Sequence, residues 1–174
     1  MEKLKFTVGL LDSSDQFNNG IPERRESLAN VKPLMSRKRL TMQVDVPLIV
    51  ILPRKTKADK RVLLNLNTYR NLHHRTNNVV KHEFKKIVER LVANKTLDIN
   101  PPYQLTYTLY PQSKRTLDVS NICSVVDKFF CDAMTELGFW EDDNYHIIPE
   151  VKYRFGEVDK ENPRVSITIR PFVQ

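Results

Sequence analysis

Residues 103–138 read YQLTYTLYPQSKRTLDVSNICSVVDKFFCDAMTELG, and the change of period inside this stretch decides the fold. Tyr103, Leu105, Tyr107 and Leu109 alternate with Gln104, Thr106 and Thr108, the period of a strand with one buried face. Past Asp118 the apolar residues recur as Ile122, Val126, Phe129, Ala133 and Leu137, a spacing that gathers them on one face of a helix. This predicts a helix from about Asp118 to Leu137, stopped by Gly138 at the position where a left-handed residue is favoured.

Upstream, Val46 to Leu52 is nearly all apolar and β-branched at Ile49, Val50 and Ile51, which predicts a strand buried on both faces, ended by Pro53 and the charged run RKTKADKR. Thr76-Asn77-Asn78 offers a helix N-cap, and Val80, Phe84, Ile87 and Leu91 follow on one helical face, with Lys81, Lys85 and Lys86 turned outward. Asn94 and Pro101-Pro102 close that unit. Downstream, Val151, Tyr153 and Phe155 alternate with Lys152 and Arg154, and Val165, Ile167 and Ile169 with Ser166 and Thr168. The loop GEVDKENP between them suits an antiparallel connection. At the N-terminus Leu4, Phe6 and Val8 permit a short strand and residues 12–27 read as loop, so residues 1–45 are taken as an extension. The expectation is an α+β domain over 46–174, a small mixed sheet with two helices in the order β-α-β-α-β-β.

A chain of 174 residues with 40% apolar content holds one ordinary domain and excludes low-complexity disorder. The longest apolar run, Pro47 to Leu52, is too short to cross a bilayer, and the N-terminal stretch carries charges where a signal peptide would not. A soluble protein of the cytoplasm is expected. Cys123 and Cys131, eight residues apart on one helix, lack zinc spacing and stand about 12 Å apart, so free thiols in a reducing compartment are expected. The net charge of +7 is concentrated: from Pro53 to Arg90 eleven basic residues face three acidic ones, a local net of +8. That is the footprint of a polyanion binder, or equally of a solvated basic face.

On a helical wheel Asp118, Asn121, Val125, Lys128 and Asp132 share one stripe beside the apolar sector, and Glu141-Asp142-Asp143 follows the helix. Oxygen ligands from two segments with a lysine nearby suit a Mg²⁺ site for phosphodiester hydrolysis. The same residues also read as an N-cap, an i,i+4 surface pair and an exposed turn. In the basic segment Lys55, Lys57, Lys60 and Arg61 are assigned to the DNA backbone, Arg70 to phosphate, Tyr69 to stacking on an unpaired base, and Arg54 and Arg75 to DNA binding. Asn65 and Asn67 either touch DNA or satisfy local backbone groups. His73 and His74 are read as phosphate or solvent contacts rather than a general base, and Phe139 and Trp140 as core or dimer-interface aromatics.

Leu117-Asp118-Val119-Ser120-Asn121-Ile122, then Lys128 to Met134 (KFFCDAM), then Gly138 to Asp143 (GFWEDD), resemble in order the D-L-D-N, K-x-x-x-D-A-L and G-x-x-x-D-D motifs of the RusA family of Holliday-junction resolvases. The likeness spans about residues 46–170, and the stretch from Leu52 to Asn78 also looks like the N-terminal element of phage-borne members. It implies a RusA-like fold and a homodimeric, Mg²⁺-dependent endonuclease, with Mn²⁺ as a substitute, that nicks four-way or otherwise branched DNA in pairs. For a phage protein the implied place is the bacterial host cytoplasm. Asp118, Asp142 and Asp143 are then the metal ligands and Lys128 joins them as catalytic, with Ser120, Asn121 and Asp132 supporting. Two departures stand out: Ser120 replaces the second Asp of the motif, and Lys128 lies one helical turn farther along.

Ser120 leaves three outcomes: a site built on Asp118, Asp142 and Asp143, a site completed by Asp132, or a module that binds junctions without cutting. A helix running from Asp118 to Leu137 is about 28 Å long, so Asp143 leaves it far from Asp118 of the same chain unless the following loop turns back. A two-fold dimer with antiparallel helices would supply Asp143 from the other chain. A single-strand or RNA-binding protein is a weaker alternative, because the aromatic, Gly-containing motif of an RNA-recognition sheet is missing.

Overall fold

In the computed structural model, residues 41–173 are described, and the expected strand at Leu4–Val8 and loop at 12–27 lie outside them. Nine elements follow in chain order: β1 (Met42–Pro47), β2 (Ile49–Leu52), β3 (Lys60–Leu63), α1 (Leu66–Asn71), α2 (His74–Val92), β4 (Tyr103–Tyr110), α3 (Val119–Glu136), β5 (Glu150–Phe155) and β6 (Arg164–Pro171). The class is α+β with a small mixed sheet, but among the described residues there are three helices, and the order differs from the expected one.

The apolar run at 46–52 is two strands, not one. β1 joins the main sheet and begins at Met42, within the stretch assigned to the extension. β2 pairs with β3 in a separate antiparallel hairpin. The chain changes sheet at Leu48, whose carbonyl accepts the Leu64 N–H at 2.9 Å. A run with both faces apolar carries no periodic mark of such a break.

The main sheet has the order β1-β6-β4-β5, with β4 parallel to β5 and the other pairs antiparallel. The connection from β5 to β6 is therefore not a hairpin: the two strands run in opposite directions but flank β4. A parallel neighbour needs a crossover, and α3 supplies it between β4 and β5. One face of the sheet, carrying Val44, Val46, Leu105, Tyr107, Leu109, Val165, Ile167 and Ile169, is buried under the helices. The other presents Gln43, Thr106, Thr108 and Thr168.

α3 has the expected limits. Asp118 caps it by accepting the Ser120 N–H at 3.0 Å. Gly138 (φ 77°) ends it, with its N–H on the Thr135 carbonyl and the Phe139 N–H on that of Met134, each at 3.0 Å. α2 starts earlier than expected, at His74, because His73 caps it through Nδ1 (3.3 Å from the Arg75 N–H). Its buried line is Val80, Phe84, Val88 and Val92. Ile87 is half-buried and Leu91 is exposed, so the face is rotated toward a strict i,i+4 row. Phe84 meets Phe129 of α3 at 6.0 Å between ring centroids. Phe84→Ala removes a fully buried ring from this contact and is expected to lower the unfolding free energy by about 3–5 kcal/mol in urea titration.

Candidate functional site

The basic segment folds as a hairpin and a short helix. Arg54, Lys55 and Lys57 are exposed in the β2–β3 loop, whose Arg54 N–H bonds the Asp59 carboxylate at 3.2 Å, and Lys60 and Arg61 follow on β3. Asn67, Arg70 and Arg75 are exposed on α1 and the first turn of α2. Asn65 serves local structure: its side chain accepts the Thr68 N–H at 2.7 Å and caps α1. Tyr69 is partly committed, its half-buried ring set edge-on to Phe129 at 5.9 Å.

Asn121, one turn into α3, accepts the Leu66 N–H at 3.0 Å and so satisfies an orphan donor at the start of α1. This bond ties the basic hairpin–helix unit to the turn of α3 that begins at Asp118. A cleft of about 340 Å³ repeats the juxtaposition: Ile51, Arg61 and Leu63 of the hairpin face Pro111, Ser113 and Leu117 of the loop leading to Asp118. Lys114 and Arg115, exposed in that loop, were not among the expected contacts; the signal was the basic pair three residues before Asp118.

Asp118 is exposed, and its Oδ1 accepts both the Ser120 N–H and the Ser120 hydroxyl, the latter at 2.7 Å. The hydroxyl bond comes first in holding its carboxyl below the ordinary carboxylate range. Asp142 is held low in the same way by the Asn144 side-chain amide (2.7 Å) and the Asp143 N–H (2.8 Å). Both are charged at neutral pH.

The two acidic groups lie at opposite ends of α3. Its 18 residues measure about 27 Å, and the segment bearing Asp142 and Asp143 is held at the far end: Trp140 before it packs on Tyr103 at the start of β4, and the Ile147 carbonyl after it accepts the Tyr103 N–H at 2.7 Å, whereas Asp118 follows the end of that strand. Lys128, ten residues from Asp118, is about 15 Å along the axis. It lines a groove of about 340 Å³ between α2 and α3 with His74, Asn78, Lys81 and Asp132. Asp132 is engaged there by Lys81 at 3.0 Å, so it does not complete a site at Asp118. Among the described residues no three His, Cys, Asp or Glu side chains form a group that could hold a metal ion, and within one protomer the expected ligands do not fit Mg²⁺.

Two clusters have no counterpart in the sequence reading. Lys81 and Lys85, expected to point outward, bridge α2 to α3: Lys81 reaches Glu136 (3.6 Å) as well as Asp132, and Lys85 reaches Glu136 at 2.7 Å. Burial alone would depress Lys81, but the Asp132 and Glu136 carboxylates raise it. On the opposite flank of α3, Asp127 accepts from Tyr153 of β5 (2.9 Å) and from the Cys131 thiol (3.3 Å). Cys123 and Cys131 are buried and free, as expected. Burial first, then the Asp127 charge, pushes Cys123 up to about 12 and Cys131 higher still.

The chain matches no protein-family model and no curated protein. No helix among the described residues is long and apolar enough to cross a membrane.

Two outcomes follow. Ellman's reagent at pH 8 is expected to modify neither thiol in the native protein and both after denaturation; rapid native labelling would contradict the assigned burial. Glu136, held low chiefly by its bond to Lys85, makes a contribution to stability that is complete above its unfolded pKa and lost as pH falls through its lower folded value. The melting temperature should therefore be flat from about pH 6 to 8 and fall below about pH 4, with Glu136→Gln removing part of that dependence.

Proposed function

We propose that the protein is a RusA-like, structure-selective DNA endonuclease that acts on branched DNA as a homodimer. In this reading each active site combines Asp118 of one protomer with Asp142 and Asp143 of the other, and Mg²⁺ or Mn²⁺ is the required ion. The observation that carries it is the Asn121–Leu66 bond, because it joins the start of α1, directly after the basic hairpin, to the first turn of α3 beside Asp118. A duplex held by Arg54, Lys55, Lys57 and Arg61 would have its backbone at the Asp118 end of α3. The three ordered motifs supply the chemistry, and the length of α3 supplies the reason for two protomers.

A second reading is favoured by one contact. The Ser120 hydroxyl that bonds Asp118 is neutral and occupies a carboxylate oxygen, where a second Asp would add charge for a cation. On that reading the protein binds junctions without cutting them.

Mixing the Asp118→Asn chain with the Asp143→Asn chain separates these accounts. Each variant alone is expected to be inactive, and their heterodimer to recover one intact site and nick a labelled four-way junction. No recovery, with wild-type chains active, would refute the shared site; tight junction binding without nicking by wild type would establish the second reading. Binding should also weaken steeply with salt, and replacing Lys55 and Lys57 with Ala should reduce the slope of log K against log salt by about 2.

A further inference from the structure

Among the described residues β5 is an edge of the main sheet, and its apolar residues lie on the face that the rest of the sheet buries. Val151, Tyr153 and Phe155 pair in register with the buried Leu105, Tyr107 and Leu109, yet they are 39%, 36% and 57% exposed. Glu150, Lys152 and Arg154 put charge on this edge, one ordinary guard for a solvated strand, but the apolar face of β5 is left open. The Gly156 N–H donates to the Leu109 carbonyl at 2.9 Å, so by alternation the even-numbered residues of β5 turn their peptide groups to β4. Val151, Tyr153 and Phe155 turn theirs to the open edge.

We propose that β5 pairs antiparallel with β5 of a second copy of this chain, about a two-fold axis at Lys152, joining the two sheets into one. Hydrogen-bonded pairs must then match odd residues with odd, which leaves two central registers. With the axis at Tyr153, Lys152 would oppose Arg154 twice, a like-charge pairing. With the axis at Lys152, Val151 opposes Tyr153 and Glu150 opposes Arg154, each twice, so the apolar and opposite charges match and one Lys–Lys contact remains at the axis.

The pairing also sets the helices. α3 packs on β4 and β5, and with strands about 4.8 Å apart the two copies of α3 come to lie roughly 10 Å apart, an ordinary helix-packing distance. The Asp127–Tyr153 bond puts the middle of α3 level with the middle of β5. The two-fold therefore makes the helices antiparallel with their midpoints side by side. Asp118, about 14 Å from that level, comes opposite the far helix end that leads into Asp142 and Asp143 of the second copy. This consequence for the site rests on the endonuclease reading, whereas the pairing of edges does not.

The test is oxidative cross-linking of the full chain. Lys152→Cys is expected to form a disulfide-linked dimer in high yield, because a non-hydrogen-bonded antiparallel pair at the axis brings the two Cα atoms to about 4.5 Å. Arg154→Cys on the same strand would stand about 14 Å from its copy and should not cross-link. In parallel, sedimentation velocity should give a dimer for wild type and at least a ten-fold weaker one for Val151→Pro, which removes an outward N–H that the monomer does not use. Equal cross-linking at 152 and 154, or a wild-type monomer at tens of micromolar, would overturn the proposal. A dimer that cross-links at 152 but cuts no DNA would leave the interface standing and remove the endonuclease reading.

Discussion

The length of α3 is the constraint on which the rest of the molecule depends. It is capped at Asp118 and closed at Gly138, and the segment after it is anchored at the start of β4 through Trp140 and Ile147, so the acidic groups at its two ends are held apart within one chain. Its three flanks each have a distinct task. The apolar face seats it on the sheet, the flank bearing Asp132 and Glu136 is clamped to α2 by Lys81 and Lys85, and the flank bearing Asp127 reaches Tyr153 on the sheet edge. A helix fixed this firmly acts as a spacer, and a spacer of about 27 Å turns any chemistry that needs both ends into a property of two chains.

The parts of the fold with a clean period were legible in the sequence. β4 and α3 follow the alternation at 103–110 and the helical recurrence at 122–137, and both ends of α3 were marked by residues with a local mechanism, Asp118 and Gly138. The division of residues 42–52 between two sheets was not legible, because an apolar run on both faces has no phase to lose. The start of α2 was misplaced because a histidine, an uncommon cap, does the work expected of Thr76 to Asn78. Sheet order was hidden too: the alternation of β5 and β6 gives their faces but not that β4 lies between them.

The same distinction holds for the site. Charge density alone pointed to the segment from Arg54 to Arg75, but its attachment to Asp118 depends on Asn121 finding a backbone N–H 55 positions away, which no spacing in the sequence announces. Asp132 and Lys128 share the helical stripe of Asp118, and that stripe proved to face α1 and α2, so Asp132 met Lys81 instead of a metal. Asn65, a polar residue in a basic stretch, caps a helix by accepting the Thr68 N–H. Where one residue type serves both capping and recognition, only the partner decides between them.

The central claim, cutting of branched DNA that depends on the acids at the ends of α3, is tested most directly by incubating the full chain with a labelled four-way junction and a matched linear duplex, with and without Mg²⁺, beside Asp118→Asn. Mg²⁺-dependent nicks in the junction, little cutting of the duplex, and none by the variant are expected. Equal cutting of both substrates, or an Asp118→Asn chain as active as wild type, would contradict the claim.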